Sequence, residues 1–311
     1  MGLLETRESV AQNKELPSFR DVASNPLVRV REIAAKAQAR NKFKSPPPIS
    51  PQMFLPGMDE HMRAMPNYLG RAPLFAPIAP GRKKIHDGSV VYKTDNVTLK
   101  GWGKQLSEDL ADIWMHAIYL ASKVPSGSPI VINRAEFLRG LGRNESGASY
   151  NWLRRGVISL STYTIAIEAQ NKDGKPKYSI GALPSSRVMQ MLGGFDYADE
   201  TEEYRLVVDP RWRQIFGNRE YSLIDWPKRL QIGRGQDLAK SLQRLVATSA
   251  DSIQRYNLAF LTERAQYSGR MRDFKYALDR AMRELERVEI IASGHIGKST
   301  KDIPQAIWTK L

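Results

Sequence analysis

The sequence runs twice through the same succession of patterns: three stretches of helical periodicity, then two alternating stretches joined by a polar turn. In the first pass, KQLSEDLADIWMHAIYLASK places Leu106, Leu110, Ile113, Trp114, Ala117 and Ala121 at helical spacing, with Ser107 as N-cap and Asp109 in the opening turn. PIVINRAEFLRGLG follows with a short extended piece, Ile130 to Ile132, and a helix that Asn133 caps and Gly140 or Gly142 ends. A third helix is predicted from Ala148 to Leu160, burying Leu153, Val157 and Leu160 and turning Asn151, Arg154, Arg155 and Ser159 outward. TYTIAIEA and YSIGALP then alternate as strands on either side of NKDGKPK, a basic turn around Gly174.

The second pass begins with DLAKSLQRLVATSA, a helix with Leu238, Leu242, Leu245 and Val246 inside. QRYNLAFLTERAQYSG is expected to form a second helix, RMRDFKYALDRAMRELERV a third, and EIIASGHIGKSTKDIPQAIWTKL a closing hairpin. Helix, helix, helix, strand, turn, strand is the winged-helix order. The predicted fold class is therefore α+β, with two tandem winged-helix domains at 65–217 and 218–311 and a flexible N-terminal arm at 1–64.

Smaller features fill in this division. The arm is polar and ends in the proline-rich KSPPPISPQMFLPG, which holds neither a helix nor a central strand; within it, Val28 to Phe43 has the pattern of one basic helix. GSVVYKTDNVTLKGW opens the first domain as a hairpin turning at Asp95-Asn96, and EEYRLVVDPRWRQIFG adds a strand near Tyr204 to Val208 and a short helix. YSLIDWPKRLQIGRG is expected to pass between the domains. The glycines of IGRGQD would make that passage flexible and let the domains straddle a long ligand.

Charge narrows the ligand. The 311 residues carry 47 Lys+Arg against 33 Asp+Glu, a formal net charge of +14, which favours a polyanion such as nucleic acid or an acidic membrane face. The excess is spread through both folded parts, 20 basic against 15 acidic residues in 65–217 and 17 against 11 in 218–311. No run approaches the ~18 apolar residues of a membrane span, and no secretory signal opens the chain. With no cysteine there is neither a disulfide framework nor a thiolate metal site, so a reducing, cytoplasmic interior is expected.

The third helix of the second pass is the candidate reader of DNA. Phe274, Leu278, Ala281, Leu285 and Val288 form its buried stripe, and Arg272, Tyr276, Asp279 and Arg283 lie opposite, flanked by Lys275 and Arg280, with Arg270 at its start. A helix fits the major groove, where Arg reads guanine bidentately while neighbouring cations neutralise phosphates. His295, Lys298 and Lys301 in the closing hairpin would lie beside the backbone or minor groove. In the first pass the corresponding candidates are Asn151, Arg154 and Arg155 on the third helix and Lys172 and Lys175 in the basic turn; for the two arginines a solvated face is an equally good account.

Enzymatic signals are weak by comparison. ASGHIGKST has Ala292 where a P-loop needs its first glycine, and no helix follows to present its N-terminus to a phosphate. His61, His86, His116 and His295 are scattered without an i, i+4 pair, so neither a metal site nor the histidine cluster of a nicking enzyme is expected. Trp114 and Trp308 fit a core; Trp152, beside Asn151 and Arg155, suits either packing or a contact with DNA or a second copy. A non-enzymatic chain without cofactor or metal is the expectation.

Five blocks in order connect this chain to a known group. MPNYLGRAPLF, KQLSEDLADIWMHAIYLA, NRAEFLRGLGR with SYNWLRRGVISLS, IDWPKRLQI, and RDFKYALDRAMRELERV resemble successive blocks of the TrfA-type plasmid replication initiators, from about Met65 to Leu311. The resemblance implies a bacterial cytoplasmic protein that binds repeated sites, called iterons, in double-stranded plasmid origin DNA and helps open an adjacent AT-rich segment. It further implies recruitment of the host replicative helicase alongside the host initiator, autoregulation, copy-number control, and a monomer–dimer equilibrium in which the first domain contributes to dimerisation. The competing expectation is a dimeric winged-helix transcriptional repressor that never opens DNA.

Overall fold

The computed structural model describes residues 59–78, 83–180, 188–198 and 203–311. The helix expected from Val28 to Phe43, and most of the arm, lie outside the described residues. In chain order the elements are β1 (Met62–Pro66), α1 (Asn67–Arg71), β2 (Phe75–Ala76), β3 (Ile85–Lys93), β4 (Val97–Lys104), β5 (Leu106–Ser107) and α2 (Glu108–Ala121). There follow β6 (Ile130–Asn133), α3 (Arg134–Gly140), α4 (Gly147–Thr162), β7 (Thr164–Gln170), β8 (Pro176–Ile180), β9 (Met189–Gln190), β10 (Gly194–Ala198), β11 (Glu203–Val207) and α5 (Trp212–Gly217). The last are β12 (Tyr221–Asp225), α6 (Trp226–Gln231), α7 (Asp237–Ala247), β13 (Ile253–Asn257), α8 (Leu258–Arg264), α9 (Met271–Arg287), β14 (Ile291–Lys298) and β15 (Pro304–Lys310).

The chain folds as a mixed α and β protein in which one module occurs twice. In the second half, α7, β13, α8, α9, β14 and β15 close a three-stranded sheet of order β13-β15-β14. In the first half, α2, β6, α3 and α4 are followed by β10 and β11, and the sheet order β6-β11-β10 is the same. Each time, the strand after the first helix pairs antiparallel with the last strand of the module.

This pairing corrects two expectations. QRYNLAFLTERAQYSG is not one helix: Ile253–Asn257 is a strand, and only Leu258–Arg264 is helical. Gln254 is buried and Tyr256 half-buried while Ile253, Arg255 and Asn257 face out, so the period is two until the Asn257 side chain accepts from the Ala259 amide and starts the helix. The hairpin around Gly174 is also not the closing pair of the first module. Strands β7 and β8 join β3 and β4 in a five-stranded sheet of order β3-β4-β7-β8, with β9 on β7. They are an insertion between α4 and β10, and the seven residues of β7 carry the Lys172–Lys175 turn about 20 Å beyond the end of α4.

Local capping follows the sequence with one exception. The Asn133 side chain accepts from the Ala135 and Glu136 amides, and Ser146 accepts from Ser149 at the start of α4. Ser107 holds the N-cap position of α2 without capping it, because its hydroxyl accepts from Lys83 Nζ at 2.9 Å instead. Gly156 is where α4 crosses α2, and a Cβ there would run into the end of the Ile113 side chain, which would have to move aside.

The core has two parts, one built from Ala64 to Trp226 and the other from Ile232 to Trp308. Strand β1, which begins in the stretch read as an arm, pairs with β12, inside the stretch read as a passage between domains. Trp226 at the start of α6 is 3% exposed and gives its indole N–H to the Gly140 carbonyl, so the first core continues past residue 217.

Charged groups buried between the two cores join them. Glu108 on α2 accepts from Arg229 of α6 at 2.9 Å and from Arg244 of α7 at 2.5 and 3.0 Å, and all three side chains are fully buried. Asp112, one turn further, accepts from Arg229 and from Lys240. Arg244 also donates to the carbonyls of Leu69 and Phe75, and Arg264 to that of Gly70. Arg71 completes the clasp through Thr248. The MPNYLGRAPLF block is thus a backbone cradle for arginines of the other half.

These contacts replace the expected linker flexibility. The Gly233 amide donates to Glu284 of α9, and Gln231 accepts through its carbonyl from Arg287. Arg244, whose partners Glu108, Leu69 and Phe75 all lie across the boundary, would be left a buried uncompensated charge if the halves parted, so the two modules hold one arrangement.

Candidate nucleic-acid interface

Helix α9 is held by its inner face. Phe274, Leu278, Ala281, Met282 and Leu285 are at most 1% exposed and pack against α7 and β14. Burial at that spacing fixes the rotation of the helix and therefore what its outer face presents. At about 3.6 residues per turn, Arg272, Tyr276, Asp279 and Arg283 run down the middle of the outer face, with Lys275 and Arg280 on its flanks. Tyr276 is 72% exposed, and the Arg272 and Arg283 side chains 75% and 76%.

The acidic residues of α9 do not cancel this charge evenly. Glu284 is engaged by Arg287 and the Gly233 amide, and Glu286 accepts from the Gly294 amide, so both serve the fold. The remaining acids pair within the helix, Asp273 with Arg272 at 3.7 Å and Asp279 with Arg283 at 2.9 Å. Arg270, at the N-cap position, and Lys275 and Arg280 are exposed and have no acidic partner among the described residues.

The β14–β15 hairpin stands beside α9. Its turn is closed by Ser299 and Ile303, with Asp302 at φ 60° and Lys298 paired to Asp302 at 2.8 Å. Lys301 at the tip is exposed and has no acidic partner among the described residues. His295, also exposed, turns its Nδ1 to the Ser293 carbonyl at 2.9 Å. Replacing Lys301 by alanine should weaken binding to specific and unrelated duplexes alike and reduce the slope of log K against log salt by about 0.9, measured by fluorescence titration across salt. A loss confined to one sequence would overturn the backbone role.

In the first module, α4 holds the position of α9 and carries Arg154 and Arg155 with no acidic residue along its length. Asn151, Arg154 and Arg155 are exposed, Arg155 donating to the Asn151 carbonyl and Arg154 lying 5.8 Å from the Tyr197 ring. Trp152 is not part of that face. Its indole N–H donates to Asp109 at 2.8 Å and Arg143 covers its ring at 3.5 Å, so it seals α4 to α2. Lys172 and Lys175 are exposed, but on the inserted hairpin, and Lys175 lies 3.7 Å from Asp173; the structure does not bring them to the position that Lys298 and Lys301 hold in the second module.

The histidines serve separate purposes. His116 is buried between Tyr119, Phe137 and Trp226, and burial, then Arg63 and Lys123, push it down to about 3. It is neutral at pH 7, and its Nδ1 accepts from Arg63, whose guanidinium lies 3.7 Å from the Tyr119 ring and 4.8 Å from that of Trp226. His86 shares a 2.6 Å hydrogen bond with the Tyr163 hydroxyl. Among the described residues no three His, Asp or Glu side chains gather as metal ligands, and no helix is long and apolar enough to cross a membrane.

No protein-family model matches the sequence, and no curated protein is detectably related to it. The fold, however, is similar to solved structures of domains 2 and 3 of RctB. A selenomethionine form superposes with a TM-score of 0.52 at 13% identity, over 79% of this chain and 98% of that one. A second structure, of RctB residues 155–483, gives 0.51 at 14%, over 79% and 97%.

Proposed function

We propose that this chain is a DNA-binding replication initiator of two winged-helix modules, acting without catalysing a reaction of its own. The observation that carries the reading is α9: the third helix of its module, rotationally fixed, with a cationic outer face and an exposed tyrosine at its centre. Helix, strand, helix, helix, strand, strand with the first strand against the last is a winged-helix topology, and its third helix is the one that enters the major groove. The likeness to domains of RctB, a replication initiator, supports the same assignment over both modules together.

On this reading α9 lies along the base edges, Lys275, Arg280 and Lys301 neutralise phosphates on either side, and α4 offers Arg154 and Arg155 to the same duplex. The sites are repeats in an origin. The buried clasp fixes the spacing between the two modules, so each protomer reads a segment of fixed length. Opening of AT-rich DNA, recruitment of helicase, autoregulation and dimerisation belong to the proposal through the sequence blocks that resemble those of TrfA-type initiators, on plasmid DNA in a bacterial cytoplasm.

Footprinting on the protein's own origin, with permanganate probing of unpaired thymines, tests the proposal. Protection of regularly spaced direct repeats with reactive thymines alongside is the expected result. A single protected palindrome without reactive thymines would identify a repressor, and nicking of supercoiled origin DNA in Mg²⁺ would identify an enzyme.

A further inference from the structure

We propose that Asp279 is a specificity device: it holds Arg283 for bidentate reading of one guanine and keeps that arginine off the phosphates. The inference rests on α9 being the DNA-reading helix and assigns a division of labour within it.

The cations of α9 fall into two groups. Arg272 and Arg283 lie in the middle of the outer face, and each has an aspartate beside it, Asp273 and Asp279. Lys275 and Arg280 lie on the flanks, where a docked helix meets the walls of the groove, and have no acidic partner among the described residues. An acid amid cations on a DNA-binding face costs affinity for every sequence, because it repels phosphate wherever the helix sits. Beyond the small support that an i, i+4 pair gives the helix, what it offers is selectivity.

The geometry supplies that selectivity at Arg283. Asp279 is one turn earlier, and its Oδ2 accepts from one terminal nitrogen of the guanidinium at 2.9 Å. A guanidinium presents five N–H donors in a planar fork, so one held by the carboxylate leaves others free to meet guanine O6 and N7. A free arginine on a helix samples many rotamers and finds phosphates readily; one tethered at 2.9 Å has lost that freedom before binding. The neighbouring negative charge also penalises the phosphate-bound pose relative to the base-bound one. Arg272 is less constrained, since its nearest aspartate oxygen is 3.7 Å away on the adjacent residue. Arg283 is therefore the reader and Asp279 its positioning residue.

The test compares wild type, Asp279→Asn, Asp279→Glu and Arg283→Ala. Each is titrated at one salt concentration against a duplex selected by the wild-type protein from a random pool, against that duplex with each base pair changed in turn, and against an unrelated duplex. Asp279→Asn is expected to bind the unrelated duplex about two- to fivefold more tightly. At one G·C pair, where wild type discriminates about tenfold or more, its preference should fall below about threefold. Arg283→Ala should lose discrimination at that same pair, and Asp279→Glu, which can still reach Arg283, should keep most of it.

An unchanged base-pair profile in Asp279→Asn overturns the inference, as does an equal loss of affinity for both duplexes, which marks a structural role. If wild type itself selects no sequence, the assignment of α9 as a DNA reader fails first, and that outcome is distinct from the other two. Thermal unfolding of each variant at the wild-type temperature verifies that the comparison concerns binding and not folding.

Discussion

Replacing Glu108 by alanine should destabilise the protein by about 3–5 kcal/mol, because it strips two fully buried arginines, Arg229 and Arg244, of a shared counter-charge. The carboxylate accepts three bonds from them at 2.5 to 3.0 Å, and no solvent reaches the site to take its place. Arg229 would keep Asp112, but Arg244 would keep only the carbonyls of Leu69 and Phe75, which carry partial charge. The loss falls on the contact between the halves and not on either core. Calorimetry should therefore show a single wild-type transition becoming two, the module around Trp308 and the module around Trp114 melting separately. A variant that melts as one unit at the wild-type temperature would show that the clasp does not couple the halves.

The same clasp has a pH dependence whose sign is fixed. Burial works to raise the Asp112 carboxyl, but Arg229 and Lys240 outweigh it and hold the group below its ordinary value of 3.8. A depressed folded value means the contribution is present above the unfolded value and fades as pH falls through the folded one. Acid should loosen the contact between halves while leaving the apolar cores, so separation precedes global unfolding below about pH 4.

Replacing Arg283 by alanine should weaken binding to the origin repeat by about 1–3 kcal/mol, roughly five- to 150-fold, while an unrelated duplex loses much less. The side chain is 76% exposed and its ion pair with Asp279 is a surface one, so folding should be nearly unaffected. Equal affinity of variant and wild type for the repeat at moderate salt would remove α9 from the reading role. The contrast with Lys301→Ala, which is expected to act on all sequences alike, separates base contact from backbone contact on adjacent elements.

Periodicity was enough to identify α2, α4, α7 and α9 and their apolar stripes, since a helix that must cover one face writes that face at every third or fourth position. It also placed Arg272, Tyr276 and Arg283 outward, because the outer face of a packed helix is whatever its apolar stripe leaves. Strand β13 was hidden by its five residues, too short for a period of two to stand out beside the helix it leads into. The strand pair belonging to the first module was misassigned because alternation says that a segment is extended and not which strand it pairs with. Strands β7 and β8 follow α4 directly in the chain, as a closing hairpin would, yet only β10 and β11 extend the sheet of β6.

The clasp lay furthest from the sequence. Nothing in the sequence separates Glu108, Asp112, Arg229, Lys240 and Arg244 from the solvated charges that such residues usually are, and the acidic partners of Arg229 and Arg244 lie 117 to 136 positions away. Nothing local distinguishes a buried arginine from an exposed one. What the sequence alone determined is the helices α2, α4, α7 and α9 with their apolar and outer faces, the basic character of α9 and the twofold recurrence of the module. What only the tertiary structure decided is which strands close each module and that the halves are joined by buried charge, because pairing across a hundred residues is settled by packing, where each desolvated charge must find its partner.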